Sequence, residues 1–193
     1  DKQIHASFYD GIESSRATYK RYQHLNLEEL ALKLKPATSS AVLLTEGIFS
    51  MSGQVAPLDE LSRLCQSHDL DMVVDEAHAF GLMGEQGLGA VVHHHLHQSE
   101  VPLRVIPLGK AMAASGAIVA GDGAWIEALQ QKARPHIYST ALSPALAHGI
   151  LHTFEVMRAA DDRRKKLGEL IEYFRQAIRQ SPLVWRDSYS PIQ

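Results

Sequence analysis

The segment DMVVDEAHAF (residues 71–80) contains a short apolar run that ends in acidic residues. Residues 71–75 have the length and the β-branched content of a strand that is buried on both faces. Asp75 stands at the carboxyl end of this strand, and Glu76 and His78 follow it directly. Ligands in parallel sheets bind at the carboxyl ends of the strands. The segment therefore predicts a functional site at the end of a central strand.

Strands and helices alternate on both sides of this segment. Short apolar runs predict further strands at 41–45, 103–107 and 116–121. Helical spacing of apolar residues predicts helices at 57–68, 123–133, 143–160 and 163–180. This alternation favours an α/β fold with a mostly parallel sheet covered by helices.

The composition fits a folded domain better than a nucleic-acid motor. The chain has 193 residues, of which 45% are hydrophobic, enough to bury one sizeable core. Its net charge is −3, and it has no basic stripe of the kind that nucleic-acid-binding proteins carry. The basic run 163–166 follows Asp161 and Asp162, which indicates a solvated helix start. We therefore expect no nucleic-acid partner.

The sequence also indicates a compartment. Cys65 is the single cysteine, which excludes a disulfide within the chain and fits a reducing environment. No apolar run approaches the roughly 18 residues that span a bilayer, and no signal peptide opens the chain. We expect a cytoplasmic protein with no membrane partner. Because the chain has no initiator Met and stops abruptly at SPIQ, we expect a piece that lacks N-terminal and C-terminal parts.

The letters DEAH (75–78) are compatible with two unrelated chemistries. In a DEAH-type nucleotide hydrolase, the acidic pair handles magnesium and water. That chemistry also needs a phosphate loop, G-x-x-x-x-G-K-[ST], which normally precedes the acidic box. Gly109-Lys110 comes after the box, Ala111 follows it, and Arg104 stands where the first glycine should be. The hydrolase therefore stays a remote alternative.

The other chemistry uses an organic cofactor held by a carboxylate, an imidazole and a lysine. A carboxylate opposite a pyridine nitrogen keeps the ring protonated, and a lysine forms a Schiff base and moves protons. Asp75 and Lys110 follow neighbouring predicted strands, so one crevice can receive both side chains, and His78 lies close to Asp75. This set indicates pyridoxal 5'-phosphate (PLP). A capping or turn role for Asp75 and a solvated Lys110 are the ordinary alternatives.

Four further stretches resemble consecutive blocks of one enzyme family. They are TEGIFSMSGQVAPLDEL (45–61), VVDEAHAFGLMGEQGLGA (73–90), LGKAMAASGAIVAG (108–121) and ARPHIYSTALSPALA (133–147). Together they resemble the α-oxoamine synthases, which are PLP enzymes of the aspartate-aminotransferase fold (fold type I). The resemblance implies that residues 1–155 belong to the large PLP-binding domain. It also implies that 156–193 form a linking helix and the start of the small C-terminal domain.

The resemblance implies roles for four residues around the cofactor ring. Lys110 would carry the Schiff base and later move protons. Asp75 would pair with the ring nitrogen, and His78 would hydrogen-bond the phenolic oxygen. His5 would stack on the ring. The residues by themselves support this for Asp75, His78 and Lys110, whereas His5 is by itself typical of a surface or capping histidine.

The resemblance also concerns the phenolic oxygen and the phosphate of the cofactor. Ser50 would lie near the phenolic oxygen, and Thr140 would reach a phosphate across a homodimer interface with shared active sites. By themselves, both residues are typical of turns and caps. Members of the family commonly have Thr three residues before the lysine. Pro107 stands there in this chain and offers neither a hydroxyl nor a backbone N–H.

Small sequence differences indicate a branch of the family. TEG (45–47) and STALSPA (139–145) favour the members that serve biotin biosynthesis over glycine acetyltransferase (2-amino-3-ketobutyrate CoA ligase). The implied reaction is a decarboxylative condensation of L-alanine with a pimeloyl thioester of CoA or acyl carrier protein. A non-catalytic homologue that keeps the fold as a binding module is a third hypothesis. The presence of Asp75, His78 and Lys110 argues against it.

Two other stretches resemble binding motifs, but neither predicts a further binding site. In HHHLH (93–97), His93 and His97 would share a helix face, but no acidic ligand accompanies them at helical spacing. We interpret this segment as solvated. GEQGLG (84–89) is rich in glycine but fits no dinucleotide-binding pattern, so we expect a shaped loop near the active site.

Overall fold

The computed structural model describes residues 1–34 and 41–193, in which strands and helices alternate. The strands are β1 (Val42–Glu46), β2 (Asp71–Asp75), β3 (Leu103–Pro107) and β4 (Ala117–Gly121). The helices are α1 (Ala6–Ser15), α2 (Leu27–Leu34), α3 (Leu58–Ser67), α4 (Ala90–His93), α5 (Gly123–Lys132), α6 (Arg134–Ile137), α7 (Pro144–Arg158) and α8 (Asp161–Ile178). A 3₁₀ turn covers Glu85–Gly87.

The strands form one sheet in the order β1-β2-β3-β4. β1 pairs with β2 and β2 with β3 in parallel, whereas β4 runs antiparallel to β3. The predicted α/β fold with a mostly parallel sheet is confirmed. The apolar run of β4 predicted a strand but not its direction, which depends on the short turn between β3 and β4.

The predicted strands and long helices agree with the structure to within two residues at each end. Pro57 precedes α3, and Asp59 and Glu60 in its first turn complement the positive end of the helix dipole. The sequence analysis missed the helices α1, α2, α4 and α6. Among them α1 begins at a histidine cap, because the side chain of His5 accepts a hydrogen bond from Ser7 N.

Two clusters of buried side chains hold the sheet. The larger one packs the buried face of α3, including Leu58 and Leu61, against Met72 and Val74 of β2. Cys65 lies in this cluster as a free, buried thiol, and burial raises its pKa to about 12. The smaller one joins the end of the sheet to α7 and contains Phe80, Ile106, Leu108, Met112 and Met157.

The helix α8 differs from the prediction in what it buries. Its predicted apolar face carries Leu170 and Phe174, but these side chains are 51% and 42% exposed. The single buried residue of α8 is Arg175, whose guanidinium bonds both carboxylate oxygens of Asp187. No helix in residues 1–34 and 41–193 is long and apolar enough to cross a membrane.

The start of α8 is only partly solvated, so one member of the predicted basic surface run is misassigned. Arg164 donates to the carbonyl oxygens of Met157 (2.7 Å) and Arg158 (2.9 Å), and to the Asp161 carboxylate (2.7 Å). Its side chain is 12% exposed. The reason is structural: Arg164 bonds the carbonyl groups that are left free where α7 ends.

Candidate active site

The carboxyl ends of the three parallel strands carry the predicted site. Glu46 ends β1 and is the register partner of Asp75, which ends β2. Lys110 follows β3 by three residues. Because these strands are parallel neighbours, the three side chains start from one edge of the sheet, as predicted for Asp75 and Lys110.

Asp75 is fixed in place by the turn that follows it. Its Oδ1 accepts a hydrogen bond of 2.7 Å from Ala77 N, and the residue is 8% exposed. Burial raises the pKa of the Asp75 carboxyl, while the Ala77 N–H and the nearby Lys110 and His5 side chains oppose the rise. These three groups limit the effect of burial but do not outweigh it, so the pKa stays above its ordinary value.

Lys110 stands on a tight loop between two buried anchors. Leu108 and Met112 are 2% and 1% exposed, whereas Lys110 between them is exposed. The loop closes through hydrogen bonds of 3.0 Å from Leu108 N to Gly116 O and from Ala114 N to Leu108 O. This arrangement holds the backbone while leaving the amine of Lys110 free to react.

His78 lies in the turn after β2 and is partly buried. Burial, followed by the positive charges of Lys110 and His5, lowers the pKa of His78 below its ordinary value of 6.5. The imidazole is therefore neutral at pH 7 and can donate or accept a hydrogen bond without carrying charge.

His5 reaches the same site from a distant part of the chain. Its ring bonds the Ser7 hydroxyl (2.9 Å), and it lies near enough to influence both Asp75 and His78. The carboxylate of Asp1 holds the segment before it, accepting bonds from Gln3 N (2.7 Å) and Leu25 N (2.9 Å). The capping role and the place beside Asp75 thus belong to the same histidine.

The two remaining predicted site residues, Ser50 and Thr140, lie in different parts of the structure. Ser50 lies in the turn after β1, where its N–H donates to Glu46 Oε2 at 3.3 Å, so it stands beside the site. Thr140 is exposed in the segment between α6 and α7. No hydrogen bond within the described ranges joins it to the other five predicted residues. Pro107 ends β3 opposite Ala117.

Glu76 lies next to Asp75 in the sequence, but its role is structural. It is fully buried and accepts hydrogen bonds from Ala90 N (2.7 Å) and Val91 N (3.1 Å). Arg104 forms an ion pair with it at 2.7 Å. The sequence analysis missed this pair, although an arginine inside an apolar strand signals that a buried partner is needed.

The loop 84–89 is shaped by glycines, as predicted. Gly84, Gly87 and Gly89 have φ of 74°, 75° and 101°, which favour glycine. Gly87 O accepts a bond of 2.7 Å from Gly81 N, which ties the loop to the turn after β2. A Cβ on Gly89 would lie 2.6 Å from Glu76 Oε2, so the close approach also needs glycine.

The histidine segment differs from the expectation that His93 and His97 share a helix face. α4 ends at His93, and His95 has a φ of 55°, so the chain turns before His97. The glycine-rich loop before α4 and the turn after it leave room for only one helical turn. In the part of the chain that the structure describes, no three His, Cys, Asp or Glu side chains group as a metal site.

Comparison with known proteins identifies the family of this chain. The profile of the family described as "Aminotransferase class I and II" matches residues 1–192. The chain belongs to this family. It is similar to 8-amino-7-oxononanoate synthase of Marinobacter nauticus, with 41% identity over 100% of this chain and 49% of that protein. The chain thus spans about half the length of the curated relatives it matches.

Solved structures give the same result. The crystal structure of 8-amino-7-oxononanoate synthase from Francisella tularensis superposes with a TM-score of 0.88 at 34% identity, over 99% of this chain and 56% of that one. A structure of SPT determined with PLP has a TM-score of 0.83 at 26% identity, over 91% of this chain and 45% of that one. The predicted fold type and the resemblance to the α-oxoamine synthases are confirmed.

These findings correct the remote hydrolase alternative. The family is different, and the second acidic residue of the DEAH letters cannot handle water. Glu76 is enclosed by Arg104 and by the start of α4, whereas its neighbour Asp75 faces the site. The adjacent carboxyl groups of Asp75 and Glu76 therefore have different roles: Asp75 faces the candidate site, and Glu76 holds the structure around it.

Proposed function

We propose that the full-length protein containing this chain is a PLP-dependent acyltransferase of the 8-amino-7-oxononanoate synthase type. It condenses L-alanine with a pimeloyl thioester and releases carbon dioxide and the free thiol. The product is 8-amino-7-oxononanoate, in biotin biosynthesis. The observation that carries this proposal is the convergence of Asp75, His78 and Lys110 at one sheet edge in a chain of this family.

The residues of the site fit PLP by their chemistry. Asp75 is a carboxylate flanked by positive charges, which suits a protonated ring nitrogen. Lys110 presents an exposed amine from a rigid loop. The backbone at Gly109 and Gly116 has open space beside it, since no atom lies within 4 Å of a Cβ placed there. Bulky groups can therefore approach this loop.

Each residue of the site would have one task. Asp75 would keep the ring nitrogen protonated, His78 would bond the phenolic oxygen, and His5 would stack on the ring. Ser50 would lie near the phenolic oxygen. Thr140 would reach the phosphate of the neighbouring subunit. When bound, PLP would withdraw electrons from the α-carbon of the amino acid and so ease the loss of its proton.

Proton transfer would fall to Lys110. Its Nζ would hold the cofactor covalently at rest, and the amino group of alanine would displace it. The freed amine would then remove the α-proton and return a proton to the same carbon after carbon dioxide has left. A neutral His78 suits this step because it adds no second positive charge beside the amine.

Covalent trapping tests the assignment of Lys110. Reduction of the full-length protein with borohydride in the presence of PLP, followed by peptide mapping, should label Lys110. Lys110→Ala should bind PLP only reversibly and lose turnover, because no amine remains to take the α-proton. The matched control is Lys132→Ala, an exposed lysine at the end of α5. A label on a different lysine would contradict the proposal.

Substrate comparison separates this function from the alternative. The full-length protein should release carbon dioxide from L-alanine with pimeloyl-CoA or pimeloyl acyl carrier protein. Glycine with acetyl-CoA should give little turnover. Preference for glycine and acetyl-CoA would replace the proposal by glycine acetyltransferase. Tight PLP binding without turnover on either pair would favour the non-catalytic homologue.

The proposal extends to the setting of the enzyme. We propose a cytoplasmic homodimer with shared active sites, whose partners are the amino acid and the acyl thioester. Residues 1–155 would belong to the large domain, and 156–193 would lead into the small one. The break between α7 and α8 at Ala160 lies close to that boundary.

A further inference from the structure

A second carboxyl group lies beside Asp75 and has no task in the function proposed above. Glu46 is the register partner of Asp75, so the two side chains leave the same face of the sheet from neighbouring strand ends. Glu46 is only 1% exposed. A buried acidic side chain needs compensation from hydrogen bonds or opposite charge.

The contacts of Glu46 join two distant segments of the site. Its Oε2 accepts a hydrogen bond of 3.3 Å from Ser50 N, and the backbone of His5 lies near the same carboxyl group. Its Oε1 is buried and has no hydrogen-bond partner among the residues described. Glu46 thus bonds the turn after β1 beside the His5 segment and keeps one oxygen unused.

The charges around Glu46 decide where a proton resides. Two neighbouring carboxyl groups do not readily ionise together. Asp75 has the shorter hydrogen bond (2.7 Å, from Ala77 N) and is pulled towards ionisation by Lys110 and His5. Glu46 has the weaker contacts and the deeper burial. The negative charge therefore belongs to Asp75 and the proton to Glu46.

Other charged groups do not change this result. Lys110 acts on Glu46 less strongly than Asp75 does. Glu76 Oε2 lies 3.1 Å from a Cβ built on Gly47, and Arg104 already pairs with this carboxylate. Burial, followed by the charge of Asp75, raises the pKa of the Glu46 carboxyl to about 7.

We propose that Glu46 is a positioning residue that acts as a neutral acid. In this form it holds the Ser50 turn beside the His5 segment and leaves Asp75 as the single carboxylate of the site. The link to cofactor binding rests on the proposed function. The protonation of Glu46 does not, because it follows from the contacts within the chain.

The pH dependence of stability tests the protonation directly. The folded protein holds a proton on Glu46 between about pH 4.5, its ordinary value, and about pH 7. Unfolding releases this proton, so stability should fall as the pH rises through this window and stay level above it. Glu46→Gln should remove this part of the fall in the unfolding midpoint of the cofactor-free full-length protein.

A matched control and a clear contrary result complete this test. Asp75 contributes a dependence of the same sign, so the quantity measured is the difference between the variant and wild-type curves. Glu13→Gln, on the exposed surface of α1, should leave the wild-type curve unchanged. Identical curves for wild type and Glu46→Gln would overturn the proposal.

Cofactor binding tests the positioning role. Glu46→Gln keeps an oxygen acceptor for the Ser50 N–H, so its Kd for PLP should stay within about threefold of wild type. Glu46→Leu loses this hydrogen bond and should weaken PLP at least about tenfold. Equal losses in both variants would mean that Glu46 acts as an anion, against the proposal. A wild-type protein that binds no PLP would sink the proposed function, while the pH comparison would still decide the state of Glu46.

Discussion

Single residues of the same type have opposite uses at the end of β2. Asp75 and Glu76 are adjacent acids, yet only Asp75 lies at the candidate site. The chain turns directly after the strand, so the next side chain points towards the core. There Glu76 meets Arg104 and two backbone N–H groups of α4. The role of each acidic residue therefore depends on where its side chain points as much as on its type.

The charge of Asp75 leads to a prediction at the residue scale. Asp75→Asn keeps an oxygen that can accept the Ala77 N–H, so the turn should persist and PLP should still bind. An amide cannot hold the ring nitrogen protonated, so exchange of the alanine α-proton should slow at least about 100-fold. Proton NMR of alanine in deuterium oxide measures this rate. Exchange at the wild-type rate would argue against the role of Asp75.

At the scale of elements, one ion pair ties three pieces of backbone together. Glu76 follows β2, Arg104 lies inside β3, and the Glu76 carboxylate bonds the first N–H groups of α4. A helix of one turn has little stability of its own, because nucleation costs more than a few hydrogen bonds return. The position of α4 and of the glycine loop before it therefore depends on Glu76.

Removal of Arg104 should be costly for this reason. Arg104→Met leaves the Glu76 charge buried without its partner, and we expect a loss of about 3–5 kcal/mol in the free energy of unfolding. The double variant Arg104→Met/Glu76→Gln should recover part of the loss. Arg63→Met breaks an exposed pair with Asp59 and should cost at most about 1 kcal/mol. Chemical denaturation measures all three, and equal effects of both arginine variants would refute this account.

At the scale of the whole molecule, Thr140 lies away from the other candidate site residues. Its side chain is exposed and apart from the residues around Asp75. In the proposed dimer, it would reach the phosphate in the neighbouring subunit. Pro107 supplies neither a hydroxyl nor an N–H on its side of the phosphate, so the dependence on Thr140 should be stronger than in relatives with Thr there.

Mixing of subunits tests this arrangement. Thr140→Ala and Lys110→Ala should each lack sites that trap PLP with borohydride at low cofactor concentration. In a mixed dimer with shared sites, one site receives both mutations and the other receives none. Co-refolded variants should therefore regain tight, trappable PLP, whereas Lys110→Ala alone should not. No recovery in dimers verified by mass spectrometry would place Thr140 and Lys110 in one subunit's site or remove Thr140 from it.

The sequence by itself determined the four strands and the longer helices of the second half of the chain, and it placed two candidate site residues after neighbouring strands. The apolar runs at 71–75 and 103–107 coincide with β2 and β3, because strands buried on both faces need continuous apolar sequence. The resemblance of four motifs named the fold type and the family. Asp75 and Lys110 were predictable as neighbours, since parallel strand ends meet at one edge of the sheet.

Only the tertiary structure decided which polar groups meet and which side chains are covered. The antiparallel direction of β4 is not encoded in an apolar run. Glu46 ends its strand as plainly as Asp75 does, but its burial and its unused oxygen depend on His5 and Ser50. The physical reason is that the periodicity of apolar residues reports only local backbone geometry. The charge and burial of a side chain depend on groups that are distant in sequence but close in space.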